Sequence, residues 1–196
     1  MTREPTNSNH FQAGRFLLEL DRPLIMGIVN ITPDSFFDGG QSFEETAAVK
    51  KAITLRDEGA DIIDIGGESS RPGAEPVAYE EERKRVIPVL RAIRDLNIPI
   101  SVDTYKAEIM KEALDEGASI INDIKALTNP GALDTFAVSK AGICMMHMQN
   151  SPKTMQNCPA YYDVFNDVRS YLLERVATLK DAGVATNRIL LDPGFG

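Results

Sequence analysis

LIMGIVNI at residues 24–31 and DIIDIGG at residues 61–67 are short, nearly continuous apolar runs separated by one helix-length stretch, and this spacing decides the fold. Between them Ser42 and Glu45 form a capping box, Val49, Ala52 and Ile53 follow at helical spacing, and Gly59 can close the helix. The result is one complete βα unit. Further runs follow: IPISVD (98–103), SIINDI (119–124), GICMMHM (142–148) and RILLD (188–192). Their near-continuous apolar character suits strands buried on both faces of a parallel sheet.

The intervening segments read as helices. Val86, Val89, Leu90 and Ile93 share a face, with Pro88 expected to kink or delay that helix. A third helix reads from Thr104 through Ile109, Met110, Ala113 and Leu114 to Gly117, and a late one carries Val168, Tyr171, Leu172, Val176 and Leu179 before Gly183. RFLLEL (15–20) suggests one strand of an N-terminal hairpin closing a barrel floor.

Such βα units build either a doubly wound sheet or a barrel, and no GxGxxG follows the first strand to favour a dinucleotide-binding sheet. The expectation is therefore one α/β domain over residues 1–196, a (β/α)8 TIM barrel with an arm or hairpin at 1–23 and strands one to six in 24–196. A barrel normally needs about eight strands and roughly 250 residues. Because the 196 residues stop at DPGFG, directly after a strand, the barrel is expected to be truncated, and the isolated chain to fold poorly.

The charge is −8, no basic run occurs, and no apolar stretch has the length of a membrane span. Those features argue against nucleic-acid and membrane partners and for a soluble cytoplasmic protein. Cys144 and Cys158 form no CxxC pair, so neither a disulfide nor a zinc site is suggested.

Barrel chemistry sits at the C-terminal ends of the strands. The polar residues there are Asn30, Ser69, Ser70 and Arg71, then Asp103, Asn122 with Asp123, His147 and Asp192. Any one of these Asp residues alone would more often be a turn former or helix cap. Their convergence suits a heterocycle with amidine-like N–H donors and a carbonyl, such as a guanine-like or pterin-like ring. Arg71 offers a fork for phosphate or carboxylate, and glycine-rich DGG (38–40) and IGGESSRPG (65–73) can turn backbone N–H groups toward an anion. His147, between methionines, reads more readily as a hydrogen-bonded core residue, and buried Asp64 requires a partner that the sequence does not name.

IMGIVNITPDSFFDGG (25–40) and IDIGGESSRPGA (63–74) resemble the two signatures of dihydropteroate synthases. The similarity continues through ISVDTYK (100–106), IINDI (120–124), MHMQNSPKTMQ (146–156) and LLDPGFG (190–196). The resemblance implies condensation of 6-hydroxymethyl-7,8-dihydropterin diphosphate with 4-aminobenzoate, giving 7,8-dihydropteroate and diphosphate. It also implies that Asp103, Asn122 and Asp192 bond the pterin, that Ile124 and Met146 pack on its faces, and that Asn30 meets the diphosphate and its Mg²⁺. Thr32, Asp34 and Phe36, with Ser70, Arg71 and Pro72, would belong to loops that close over substrate and form the aminobenzoate pocket, which sulfonamides occupy. Asp34 and Asp103 would favour a cationic pterin.

Two residues depart from the family pattern: Ser70 stands where Thr is usual, and Phe37 replaces a commoner small residue. The family's SRK and RxHD motifs, which carry a pterin-binding Lys and diphosphate-binding Arg and His, have no counterpart here. A homodimer is the family expectation. A pterin-dependent methyltransferase of the same superfamily and a non-catalytic pterin-binding fragment are the alternatives, and the methyltransferase should lack the TPDSFFDGG and GGESSRPG loops.

Overall fold

The computed structural model describes residues 9–32, 41–69, 75–149 and 159–195. A two-stranded antiparallel hairpin, β1 (His10–Ala13) and β2 (Phe16–Glu19), precedes a parallel sheet of β3 (Met26–Asn30), β4 (Ile62–Gly66), β5 (Ile100–Asp103), β6 (Ile120–Asp123), β7 (Gly142–Met146) and β8 (Ile189–Asp192). All six apolar runs thus form strands. They lie side by side in chain order, β3-β4-β5-β6-β7-β8. A doubly wound sheet reverses its strand order at a switch point, so the unbroken order identifies an arc of a (β/α) barrel. The helices are α1 (Gln41–Asp57), α2 (Tyr79–Ile93), α3 (Ala107–Asp115), α4 (Ala132–Ala137) and α5 (Val164–Asp181).

Register separates the two faces of the sheet. Ile28, Asp64, Ser101, Ile120 and Gly142 form one row, and Asn30, Gly66, Asp103, Asn122, Cys144 and Leu190 form the next. Met146 pairs with Asp192 one step further. Strand residues two apart share a face, so these rows line the barrel's inside.

Val29, Ile63, Ile65, Ile100, Val102, Ile121, Ile143 and Met145 take the other parity. They pack in the main core with Ala52 of α1, Leu90 of α2, Met110 of α3, Phe136 of α4 and Leu179 of α5. Burying one aliphatic side chain in this layer contributes about 1.5–3 kcal/mol.

A second cluster plugs the N-terminal end of the barrel, where Phe11 and Ala13 pack on Ile62 and Ile120 with Met26 and Leu190 alongside. Gly142 makes this plug possible: a Cβ there would lie 2.4 Å from the Phe11 ring. The hairpin expected from residues 15–20 is therefore the barrel floor.

Gly59, Gly117 and Gly183, the expected helix stops, have φ of 101°, 103° and 86°. After each, the next N–H reaches back five residues, from Ala60 to Leu55 O, Ala118 to Ala113 O and Val184 to Leu179 O. This is the Schellman closure, which needs left-handed backbone that glycine adopts at least cost.

Several local expectations change. Helix α1 is described from Gln41, one residue before Ser42. Helix α2 runs through Pro88 without interruption, and α3 begins at Ala107 after the extended Lys106. Burial on both faces fails at the sheet's two outer strands, where inward Ile28 is 59% exposed and outward Leu191 is 43% exposed.

Candidate functional site

The inward rows are apolar at the hairpin end and polar at the C-terminal end, so strand direction alone places Asp103, Asn122 and Asp192 at one mouth. Asp103 and Asn122 are register partners, and Met146 and Asp192 are partners two strands away. Ile124, buried, follows β6 directly. Gly66 stands between Asn30 and Asp103 in its row, and a Cβ on it would lie 3.4 Å from Asp103 Cβ, so its missing side chain leaves room above β4.

Cys144 stands in the same inward row, paired with Asn122. Burial, then the charges of Asp192, Asp64 and Asp103, push its thiol up to about 12. The thiol therefore stays protonated and is a poor nucleophile near neutral pH.

Not every strand-end acid faces this mouth. Asp123, next to Asn122, points outward and is completely buried. Its Oδ1 accepts the Lys125 N–H and its Oδ2 the Leu127 N–H, each at 2.7 Å, so it fixes the turn after β6. Burial raises its carboxyl to about 6 against the pull of those bonds. Asp192 is partly a turn former too, because Oδ1 accepts the Gly194 N–H at 2.7 Å.

His147 follows β7 rather than lying in it. Its ring packs edge-on to Tyr171 at 5.1 Å between centroids and against Tyr161 at 5.9 Å, and burial lowers its pKa. That is the core role its sequence context suggested.

Asn30 is exposed at the end of β3, and Thr32 is half-buried just beyond Ile31, whose N–H donates to Gly66 O at 2.8 Å. Asp34, Phe36, Ser70, Arg71 and Pro72 lie outside the described residues. Among the described residues no group of three or more His, Cys, Asp or Glu could hold a metal ion.

Asp64, whose partner the sequence left unnamed, is 4% exposed, and its Oδ2 accepts the Asn122 Nδ2 amide at 3.4 Å. Burial raises its carboxyl above the ordinary range, and the neighbouring Ser101 and Asn122 pull the other way.

An ion network beside the mouth had no counterpart in the strand-end residues. Lys106 pairs with Glu68 and with Glu82, the latter at 2.5 Å; Tyr105 donates its hydroxyl to Glu68 Oε1 at 2.5 Å, and Val77 N–H donates to Glu68 Oε2 at 3.0 Å. Burial alone would lower Lys106, but the hydrogen bonds it donates to the two glutamates outweigh it and raise its pKa. The Tyr105 hydroxyl is pushed up to about 12 by burial and by its bond to Glu68. This lysine is already committed to two carboxylates. Its signal was Glu82, which lies four, seven, eight and eleven residues before Val86, Val89, Leu90 and Ile93 on the buried stripe of α2. An acid on an apolar stripe requires a cation.

A cleft of about 550 Å³ lies at the opposite end beside Gly14, between α3 and α4. Its charged lining, Lys111, Asp115, Asp134 and Lys140, includes the ion pair Lys111–Asp115.

Residues 26–196 match the family described as pterin binding enzyme. The chain belongs to the pterin-binding enzyme family. It is 52% identical over 180 residues to the dihydropteroate synthase of Escherichia coli (strain K12), covering 91% of this chain and 64% of that protein. The chain thus spans slightly less than two thirds of that relative's length.

Among solved pterin-binding enzymes, it resembles Burkholderia cenocepacia dihydropteroate synthase complexed with 7,8-dihydropteroate, with TM-score 0.86 and 49% identity over 95% of this chain and 64% of that one. It likewise resembles the Yersinia pestis dihydropteroate synthase in a sulfonamide drug complex, with TM-score 0.88 and 45% identity over 95% of this chain and 68% of that one. The sequence resemblance and the barrel expectation are both borne out.

Proposed function

We propose that this chain is the pterin-binding part of a dihydropteroate synthase, joining 6-hydroxymethyl-7,8-dihydropterin diphosphate to 4-aminobenzoate with release of diphosphate. The observation that carries the reading is the inward convergence of Asp103, Asn122 and Asp192 at one barrel mouth in a chain 52% identical to such an enzyme. Carboxylates accept the N–H groups of an aminopyrimidinone edge, an amide can serve either a donor or an acceptor, and Ile124 and Met146 offer apolar surface for the ring faces.

In this mechanism diphosphate leaves a pterin-stabilised cation, and the arylamine nitrogen attacks it. No strong base is required. Asp103 favours the positive charge that develops on the ring, because a carboxylate in a partly desolvated site acts at reduced screening. Asp34 would act in the same sense, and Thr32, Phe36, Ser70, Arg71 and Pro72 would form the aminobenzoate and diphosphate side, the place a sulfonamide would take.

A divalent ion fits here only with a substrate that brings its own oxygens. One exposed amide, Asn30, stands at the mouth, and Mg²⁺ commonly keeps waters and binds through substrate phosphates. Asn30 would hold such an ion, which when bound supplies charge to the leaving diphosphate. A cytoplasmic location and a homodimer belong to the same proposal. Among the described residues no helix is long and apolar enough to cross a membrane.

The test is dihydropteroate formation from the pterin diphosphate and 4-aminobenzoate with Mg²⁺, using this chain and the product of its full reading frame. Activity in the full product, inhibited by a sulfonamide, is the expected result. No activity in either protein would overturn the synthase reading. The methyltransferase alternative fits less well, because TPDSFFDGG (32–40) and GGESSRPG (66–73) are present.

A further inference from the structure

Below Asn122 the barrel holds a polar pair for which the proposed chemistry has no use. Asp64 Oδ1 and Ser101 Oγ are buried without a hydrogen-bond partner among the described residues. The two residues are register partners on the inward face, one row beneath Asp103 and Asn122. Ser101 favours the charged carboxylate against the effect of burial, though its hydroxyl makes no hydrogen bond among the described residues. Unpartnered groups at such depth are uncommon in folded proteins and point to a donor or acceptor supplied from elsewhere. Asp64 Oδ2 already accepts from Asn122 Nδ2.

The chemistry of that contact has a direction. Asn122 donates its Nδ2 to Asp64 Oδ2, so the amide turns its NH₂ group downward. The Asn122 carbonyl oxygen is then the atom left for the mouth. An amide without such a neighbour could present either end.

Resting on the pterin reading above, we propose that Asp64 is a positioning residue that holds Asn122 with its carbonyl oxygen toward the ligand, so that the site selects a heterocycle edge bearing N–H donors. Asp64 acts through Asn122 and need not touch the ring. Selection follows because an acceptor opposite a ligand carbonyl would leave two buried oxygens facing each other, whereas an amino group satisfies both partners.

The experiment is calorimetric binding of pterin and of lumazine, which carries an oxo group in place of the 2-amino group, to the full reading-frame product. Wild type should prefer pterin by about tenfold or more, since a site built around a hydrogen bond rejects the ligand that lacks it. Asp64→Asn, whose amide no longer dictates the direction of its neighbour, should lose most of that preference. Asp64→Ser, smaller and with a hydroxyl that can donate or accept, should lose it too and serves if the first variant does not fold.

A purely structural role predicts that both ligands weaken together with their ratio kept, and that result in either variant would overturn the proposal. Equal binding of the two ligands by wild type would also overturn it while leaving the pterin reading standing. Failure of wild type to bind either ligand would instead refute the pterin reading, and this inference with it.

Discussion

On the outward face of the sheet, Asp123 is completely buried and both its oxygens take backbone N–H groups at 2.7 Å. On the inward face Asp64 is buried to nearly the same degree, yet one oxygen has no partner among the described residues and the other accepts a 3.4 Å bond. Desolvation raises both carboxyls. The difference lies in what answers the burial. Asp123 is satisfied by the chain itself and stabilises the fold, whereas Asp64 is left with capacity that a ligand or a neighbouring ligand-binding side chain can use. Between these two acids polar satisfaction, more than burial, is what differs.

The contrast would break first at Lys106. Lys106→Met removes the cation between Glu68 and Glu82, whose side chains are 10% and 1% exposed. Breaking one partner of a buried ion pair costs about 3–5 kcal/mol, because the remaining charges have no compensation. Urea unfolding should show that loss; a change under about 1 kcal/mol would mean that the glutamates find other partners or take up protons at small cost.

Asp123→Ala comes next, at about 2–4 kcal/mol, since two N–H groups in the turn after β6 lose their acceptor. Its pH dependence sharpens the contrast. With the carboxyl raised from 3.8 to about 6 in the fold, the unfolded chain releases its proton first as pH rises. The stability contributed by the neutral form is complete below the lower value, declines on the order of 2–3 kcal/mol through that window and levels off above it. Asp123→Asn should flatten this part of a stability-against-pH curve, and an unchanged curve would remove Asp123 as its source.

How much of this was legible follows from parity and length. The strands were readable because each carries uninterrupted apolar character, and the helix stops because Gly59, Gly117 and Gly183 supply left-handed backbone. Helix α4 was not recognised: ALDTFA has six residues, less than two turns, and presents two buried side chains, Ala132 and Phe136. Helix α2 continues past Pro88 because tertiary burial of Val86, Val89, Leu90 and Ile93 outweighs a missing backbone donor.

At the site, the strand pattern treats Asn122 and Asp123 alike and only the family resemblance favours Asn122. The register, Asp103 opposite Asn122, assigns one to the mouth and the other to the helix layer. Alternation along a strand tells which residues share a face but not which face looks inward. The network of Lys106 was missed for a different reason, since its members come from separate segments and meet only in three dimensions.

Asp103→Asn should disturb folding least and binding most clearly. Asp103 is half-buried at the open mouth, so an isosteric amide there leaves the sheet and its apolar layer intact, and stability should change by about 1 kcal/mol or less. An amide, however, turns one acceptor into a donor and removes the charge that favours a cationic ring. A hydrogen bond to a charged group contributes about 1.5–3 kcal/mol, so pterin affinity should fall roughly 10- to 100-fold. Measured side by side, Asp103→Asn and Asp123→Ala should give opposite pairs of effects, binding without stability and stability without binding. If Asp103→Asn instead unfolded the protein while pterin affinity of the folded fraction held, the inward face would be structural like the outward one. The division between satisfied and available acids would then fail.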